Sequence, residues 1–95
     1  MKIVNDAIEI VKSKTNNPEY TEYFLDDIYY EMSEREIRIS NKWDIDTWIA
    51  FILDYVDFCE SNTNVIDENN EIDYQTLVVN NGKFTEKYNS YFKSV

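Results

Sequence analysis

The stretch from Asp44 to Ser61, DIDTWIAFILDYVDFCES, sets the strongest constraint on how this chain folds. Asp44 is a helix-capping residue type. Behind it Ile45, Trp48, Ile49, Ile52, Val56 and Cys59 recur at the spacing of one helical stripe. Phe51, Tyr55 and Phe58 lie to one side of that stripe, and only a narrow face remains for Asp46, Asp54 and Asp57. An ordinary surface helix buries one stripe and exposes the rest. A helix apolar over this much of its girth must be central to a bundle or pack on two sides, so the remaining chain has to supply its covering.

The flanking sequence supplies it as helices. Residues 3–14 place Val4, Ala7, Ile8 and Val11 on one face, and TNNP breaks the pattern. Asn17 then reads as a cap, with Pro18 at the first helical position, where its missing N–H costs nothing. The pattern predicts one helix from Pro18 to Glu34, with Phe24, Leu25, Ile28, Tyr29 and Met32 turned inward and Arg35 just past its last turn. EIRIS alternates, which predicts a short strand or extended connection through Ile37 and Ile39. Near the end, YQTLVV reads as a strand and NNG as a turn, after which Phe84, Tyr88, Tyr91 and Phe92 recur at helical spacing. A hairpin across Asn81-Gly82 competes with a C-terminal helix. The helix is preferred, because a hairpin would pair Leu77 with Glu86 and leave the aromatic spacing without a reason. The expected fold is a mainly α single domain over residues 1–95, a small bundle of three to four helices with room for a short two-stranded β element; α+β is the alternative. A compact chain of this length has a radius of gyration of about 12 Å.

Charge is the other unusual property. Nineteen acids face nine bases and no histidine, a net charge of −10. The charges are also segregated. Bases fall in three clusters: Lys2, Lys12 and Lys14; Arg35, Arg38 and Lys42; Lys83, Lys87 and Lys93. From Thr15 to Glu34 there are six acids and no base, and from Trp43 to Gly82 nine acids and no base. On the expected second helix Glu19, Glu22, Asp26, Asp27, Glu31 and Glu34 share the outer arc with Tyr23 and Tyr30. Seventeen helical residues span about 25 Å, so this arc would carry a carboxylate every ~4 Å, close to the ~3.4 Å phosphate repeat of one DNA strand. Glu22 with Asp26, and Asp27 with Glu31, repel at i,i+4. A folding helix gains nothing from such repulsion, which points to a partner.

Catalytic chemistry has few candidates. There is no histidine, and Cys59 sits on the apolar stripe, where a thiol stays protonated. Asp26 and Asp27 lack a pocket that would drive their pKa values apart. Asp67, Asn69, Glu71 and Asp73 match the spacing of a calcium loop, but Ile72 stands where the loop needs glycine and Val78 where it needs a closing glutamate. No enzyme activity, cofactor or metal site is therefore expected, and a −10 chain is a poor ligand for nucleic acid or an anionic membrane. The lone cysteine and the absence of a signal-like N-terminus point to the cytoplasm. The basic clusters are expected to pair with neighbouring acids.

The expected function is that of a small inhibitor whose acidic surface mimics nucleic-acid charge and occupies a basic partner protein. The residues expected to bind that partner are Glu19, Glu22, Tyr23, Asp26, Asp27, Tyr30, Glu31, Glu34, Asp46, Asp54 and Asp57, with charge providing steering and tyrosine providing anchorage. In size, acidity and lack of catalytic groups the chain resembles the small phage proteins that disarm bacterial defences, the anti-CRISPR and antirestriction proteins, a resemblance of class that rests on no motif. The alternatives are an immunity protein or antitoxin capping a basic toxin nuclease, and an acidic non-catalytic subunit or housekeeping domain.

Overall fold

The computed structural model describes residues 2–30, 32–61 and 82–93, and of residues 26, 27 and 82–85 the backbone alone. Five α-helices lie within these residues: α1 (Lys2–Lys14), α2 (Glu19–Tyr23), α3 (Glu34–Ser40), α4 (Ile45–Ser61) and α5 (Gly82–Tyr91). A π-helical stretch, Phe24–Tyr29, continues α2. The radius of gyration is 12.6 Å.

The central position of α4 follows from its sequence. Asp44 caps it: Oδ1 accepts the Thr47 backbone N–H at 2.9 Å and the Thr47 hydroxyl at 2.8 Å. Trp48, Ile52, Val56 and Cys59 are buried, and so are Phe51, Tyr55 and Phe58 on the adjoining face. One face is covered by α1 through Val4, Ala7, Ile8 and Val11. Another is covered by α2 and its π-helical continuation. Phe24 meets Tyr55 and Phe51 at ring separations of 5.6 and 5.7 Å, and Tyr29 meets Trp48 at 6.1 Å. As that segment advances, its partners on α4 step backward, so the two run antiparallel. Phe51 in turn reaches Tyr88, Tyr91 and Phe92 of the C-terminal segment at 5.6, 4.9 and 5.7 Å. Aromatic pairs in this range add to what area burial alone supplies.

Three local details differ from the sequence pattern. First, α2 has no side-chain cap. The Asn17 carbonyl accepts the Tyr20 N–H at 3.1 Å, and the Pro18 carbonyl accepts both the N–H and the hydroxyl of Thr21. Backbone turns thus close the start, with Pro18 already at the helical φ of −62°.

Second, the segment does not run as one helix to Glu34. The hydrogen-bond pattern widens to i→i+5 after Tyr23, and the helical run ends in a turn at Tyr30. This widening brings residues five apart toward one another, and Phe24 and Tyr29 lie 6.4 Å apart. Both rings then reach α4.

Third, EIRIS is the helix α3, not a strand. Ser33 Oγ accepts the Glu36 N–H at 3.2 Å, and Glu36 Oε1 accepts the Ser33 N–H at 2.9 Å. This capping box satisfies two donors reciprocally and starts a helix where alternation suggested extension. Ile37 is 43% exposed, so the alternating isoleucines line no sheet face. Arg35, expected beyond a helix end, sits in the first turn of α3.

The mainly α expectation holds, and no strand occurs among the described residues. The preferred C-terminal helix is present as α5, with Tyr88 and Phe92 buried. The YQTLVV stretch, Asn81 and the calcium-like spacing from Asp67 to Asp73 lie outside the described residues. Among the described residues no helix is long and apolar enough to cross a membrane.

Candidate functional site

Because α2 and α4 run antiparallel, the start of one meets the end of the other. Tyr20 is buried at this junction, beside Tyr23, with ring centroids 5.6 Å apart. Burial pushes the Tyr20 phenol above its usual value, and proximity to Cys59, Glu19, Tyr23 and Glu60, groups that are negative when ionised, adds to that push. Tyr23 is raised by burial first, then by Glu19, Cys59 and Glu22. Carboxylates from two helices therefore act on one pair of rings, Glu19 and Glu22 from α2 and Glu60 from α4. All three are exposed. Glu60 is positioned by the α1–α2 connection, where the Thr15 hydroxyl donates to its Oε1 at 3.0 Å. None of the three carboxylates forms an ion pair among the described residues.

The other predicted residues scatter. Asp46 and Asp57 are exposed on α4. At 100° per residue they share an arc of about 60° with Glu60, but Asp46 lies about 20 Å away from Glu60 along the axis. Asp54 turns the other way: it pairs with Lys87 at 3.4 Å and accepts the Tyr91 hydroxyl at 2.7 Å. Its charge is used inside the fold. Glu34 is exposed in the first turn of α3, where a carboxylate suits the helix dipole, and it does not extend the α2 arc. Tyr30 is 80% exposed, whereas Tyr23 is half-buried. The side chains of Asp26, Asp27 and Glu31 lie outside those described.

Glu60 was not among the residues expected at the site. The signal for it was its place on the Asp46–Asp57 ridge. What concealed it was the antiparallel pairing that brings it to act on Tyr20 of α2, which no local pattern encodes.

The bases also divide. Lys2 pairs with Asp6 at 2.9 Å, Lys12 with Glu9 at 3.8 Å and Lys87 with Asp54. Arg35, Arg38 and Lys42 form no ion pair among the described residues, contrary to expectation. Comparison with known protein families, with curated proteins and with solved structures finds no match.

Proposed function

We propose that this protein is a non-catalytic cytoplasmic inhibitor that docks its acidic surface onto the basic nucleic-acid-binding face of a partner protein, as phage anti-defence proteins do. The observation that carries the reading is the junction of α2 with the end of α4, where Glu19 and Glu60 act on Tyr20, and Glu19 and Glu22 on Tyr23, without ion-pair partners among the described residues. Exposed carboxylates beside the half-buried Tyr23 suit arginine-rich channels, since guanidinium groups pair with the former and can stack on the accessible part of that ring, while Tyr20 is itself buried. The unit is a compact patch with a flanking ridge at Asp57. It is not the unbroken line of charge that a helix from Pro18 to Glu34 would have offered, because that helix ends at Tyr30.

The test is affinity capture of partners from bacterial lysate with the wild-type chain and with the triple reversal Glu19→Lys, Glu22→Lys and Glu60→Lys. A specific partner should be a nucleic-acid-binding protein or nuclease. DNA or RNA should displace it, and raising salt from 50 to 200 mM should weaken it by an order of magnitude or more, as expected when several charges are neutralised together. Capture that survives the triple reversal, or is indifferent to nucleic acid and salt, rejects the reading.

A further inference from the structure

Among the described residues the second basic cluster forms no ion pairs; it lines a cavity. Arg35, Arg38, Lys42 and Lys93 line a space of about 740 Å³ whose aromatic walls are Trp43 and Tyr91, and no carboxylate lines it among the described residues. The residues come from α3, the turn into α4 and the end of α5.

Much of this frame is fixed. Arg35 Nη2 donates to the Phe92 carbonyl at 2.7 Å. Trp43 packs against Trp48, Phe92, Phe51 and Tyr91 at ring separations of 4.9, 5.1, 5.3 and 5.7 Å. The Tyr91 hydroxyl is held by Asp54. Arg38, Lys42 and Lys93 are exposed and reach this frame from its rim.

A plainer account is that cations gather at helix C-termini, where the dipole favours them. It explains Arg38 and Lys42 near the end of α3, and Lys93 after α5. It does not explain why cations from two helix ends and the first turn of α3 converge on one aromatic-walled cavity. Four like charges around a common space repel, and an anion between them removes that cost.

We propose that this cavity binds a nucleotide, its phosphates held by Arg38, Lys42 and Lys93 and its base lying against Trp43 and Tyr91. Guanidinium groups fit phosphate through paired N–H donors, lysine adds point charge, and aromatic faces accept any planar base. The volume falls within the 300–1,000 Å³ range of small-molecule sites. The net charge of −10 does not forbid an anion here. At physiological ionic strength charges beyond ~8 Å are largely screened, so the local cations decide.

The experiment is isothermal titration calorimetry of the full chain with ADP, pyrophosphate and adenosine, repeated on the double variant Arg38→Ala/Lys42→Ala. Both side chains are exposed, so circular dichroism should show an intact fold. ADP should bind saturably and more tightly than either fragment, and the double variant should weaken it at least tenfold. On ADP binding the Trp43 indole N–H resonance should shift more than that of buried Trp48. Absence of saturable ADP binding at millimolar concentration and physiological ionic strength overturns the proposal, as does equal binding by the double variant. Pyrophosphate binding as tightly as ADP removes the base, and adenosine binding as tightly removes the phosphates; either result rejects a nucleotide. The site is independent of the acidic junction. The Glu19/Glu22/Glu60 reversal should retain ADP affinity, so failure of one proposal leaves the other intact.

Discussion

Trp48 carries a polar hydrogen into the driest part of the molecule. Its side chain is fully buried, and Nε1 has no hydrogen-bond partner among the described residues. An unpaired buried donor costs about 1–3 kcal/mol, which the packing of a large ring has to offset. Trp48→Phe deletes the donor and keeps a ring but leaves a smaller side chain, so the two effects oppose. The expected net change is within about 1 kcal/mol, whereas Trp48→Ala should cost about 3–5 kcal/mol, both read from urea unfolding. Tyr91 makes a pH prediction. Burial, and then its bond to Asp54, raise its phenol well above the ordinary value of 10.0. The unfolded chain ionises first, so this stabilisation is complete below pH 10 and is lost as pH rises toward the folded-state value. Thermal unfolding from about pH 9 to 11 should show wild type losing stability above pH 10, with a shallower loss in Tyr91→Phe. At this scale the sequence was informative about burial and poor about pairing. The α1 stripe named its buried residues, and the α4 stripe named Trp48, Ile52, Val56 and Cys59, because periodicity reports which side faces the core; Ile45 and Ile49 are only partly buried, whereas Phe51, Tyr55 and Phe58 beside the stripe belong to the core. Asp54 read as an outward acid like Asp46, because only the arrival of α5 distinguishes them.

Helix α3 shows what a short pattern can hide. Ile37 and Ile39 alternate over five residues, too few to separate period 2 from period 3.6. The decisive signal was Ser33-x-x-Glu36, a capping box placed directly before them. Ser33→Ala should cost about 1 kcal/mol, expressed mainly in α3. Amide exchange should accelerate over residues 36–40 while α4 keeps its protection. By contrast α4 was readable from Asp44 to Ser61, since its cap and its length leave no competing period. The break at Tyr30 was not readable. The π-helical widening satisfies two rings, Phe24 and Tyr29, against one neighbour, and that neighbour is not local in sequence.

For the whole molecule, the acidic excess sets a background against which both sites are defined. With −10 on a chain of this size, like charges repel in the compact state more than in the expanded one. Raising sodium chloride from 10 to 500 mM should therefore raise the melting temperature by several degrees, where a chain dominated by attractive pairs would lose stability. Scanning calorimetry across that series decides between them. Charge segregation was visible in the sequence as base-free runs. Where the charges meet was not, because convergence at Tyr20 and at the Trp43 cavity depends on helix order in space. The Arg35–Phe92 bond spans 57 residues of chain and joins α3 to the end of α5. A seven-residue helix does not persist alone in water, and closing so long a loop is entropically costly. Helix α3 is therefore expected to depend on docking of the C-terminal segment for its consolidation. The basic cavity is then expected to open before the α1–α4 core does, which native-state amide exchange checks: residues 36–40 should exchange before those of α4.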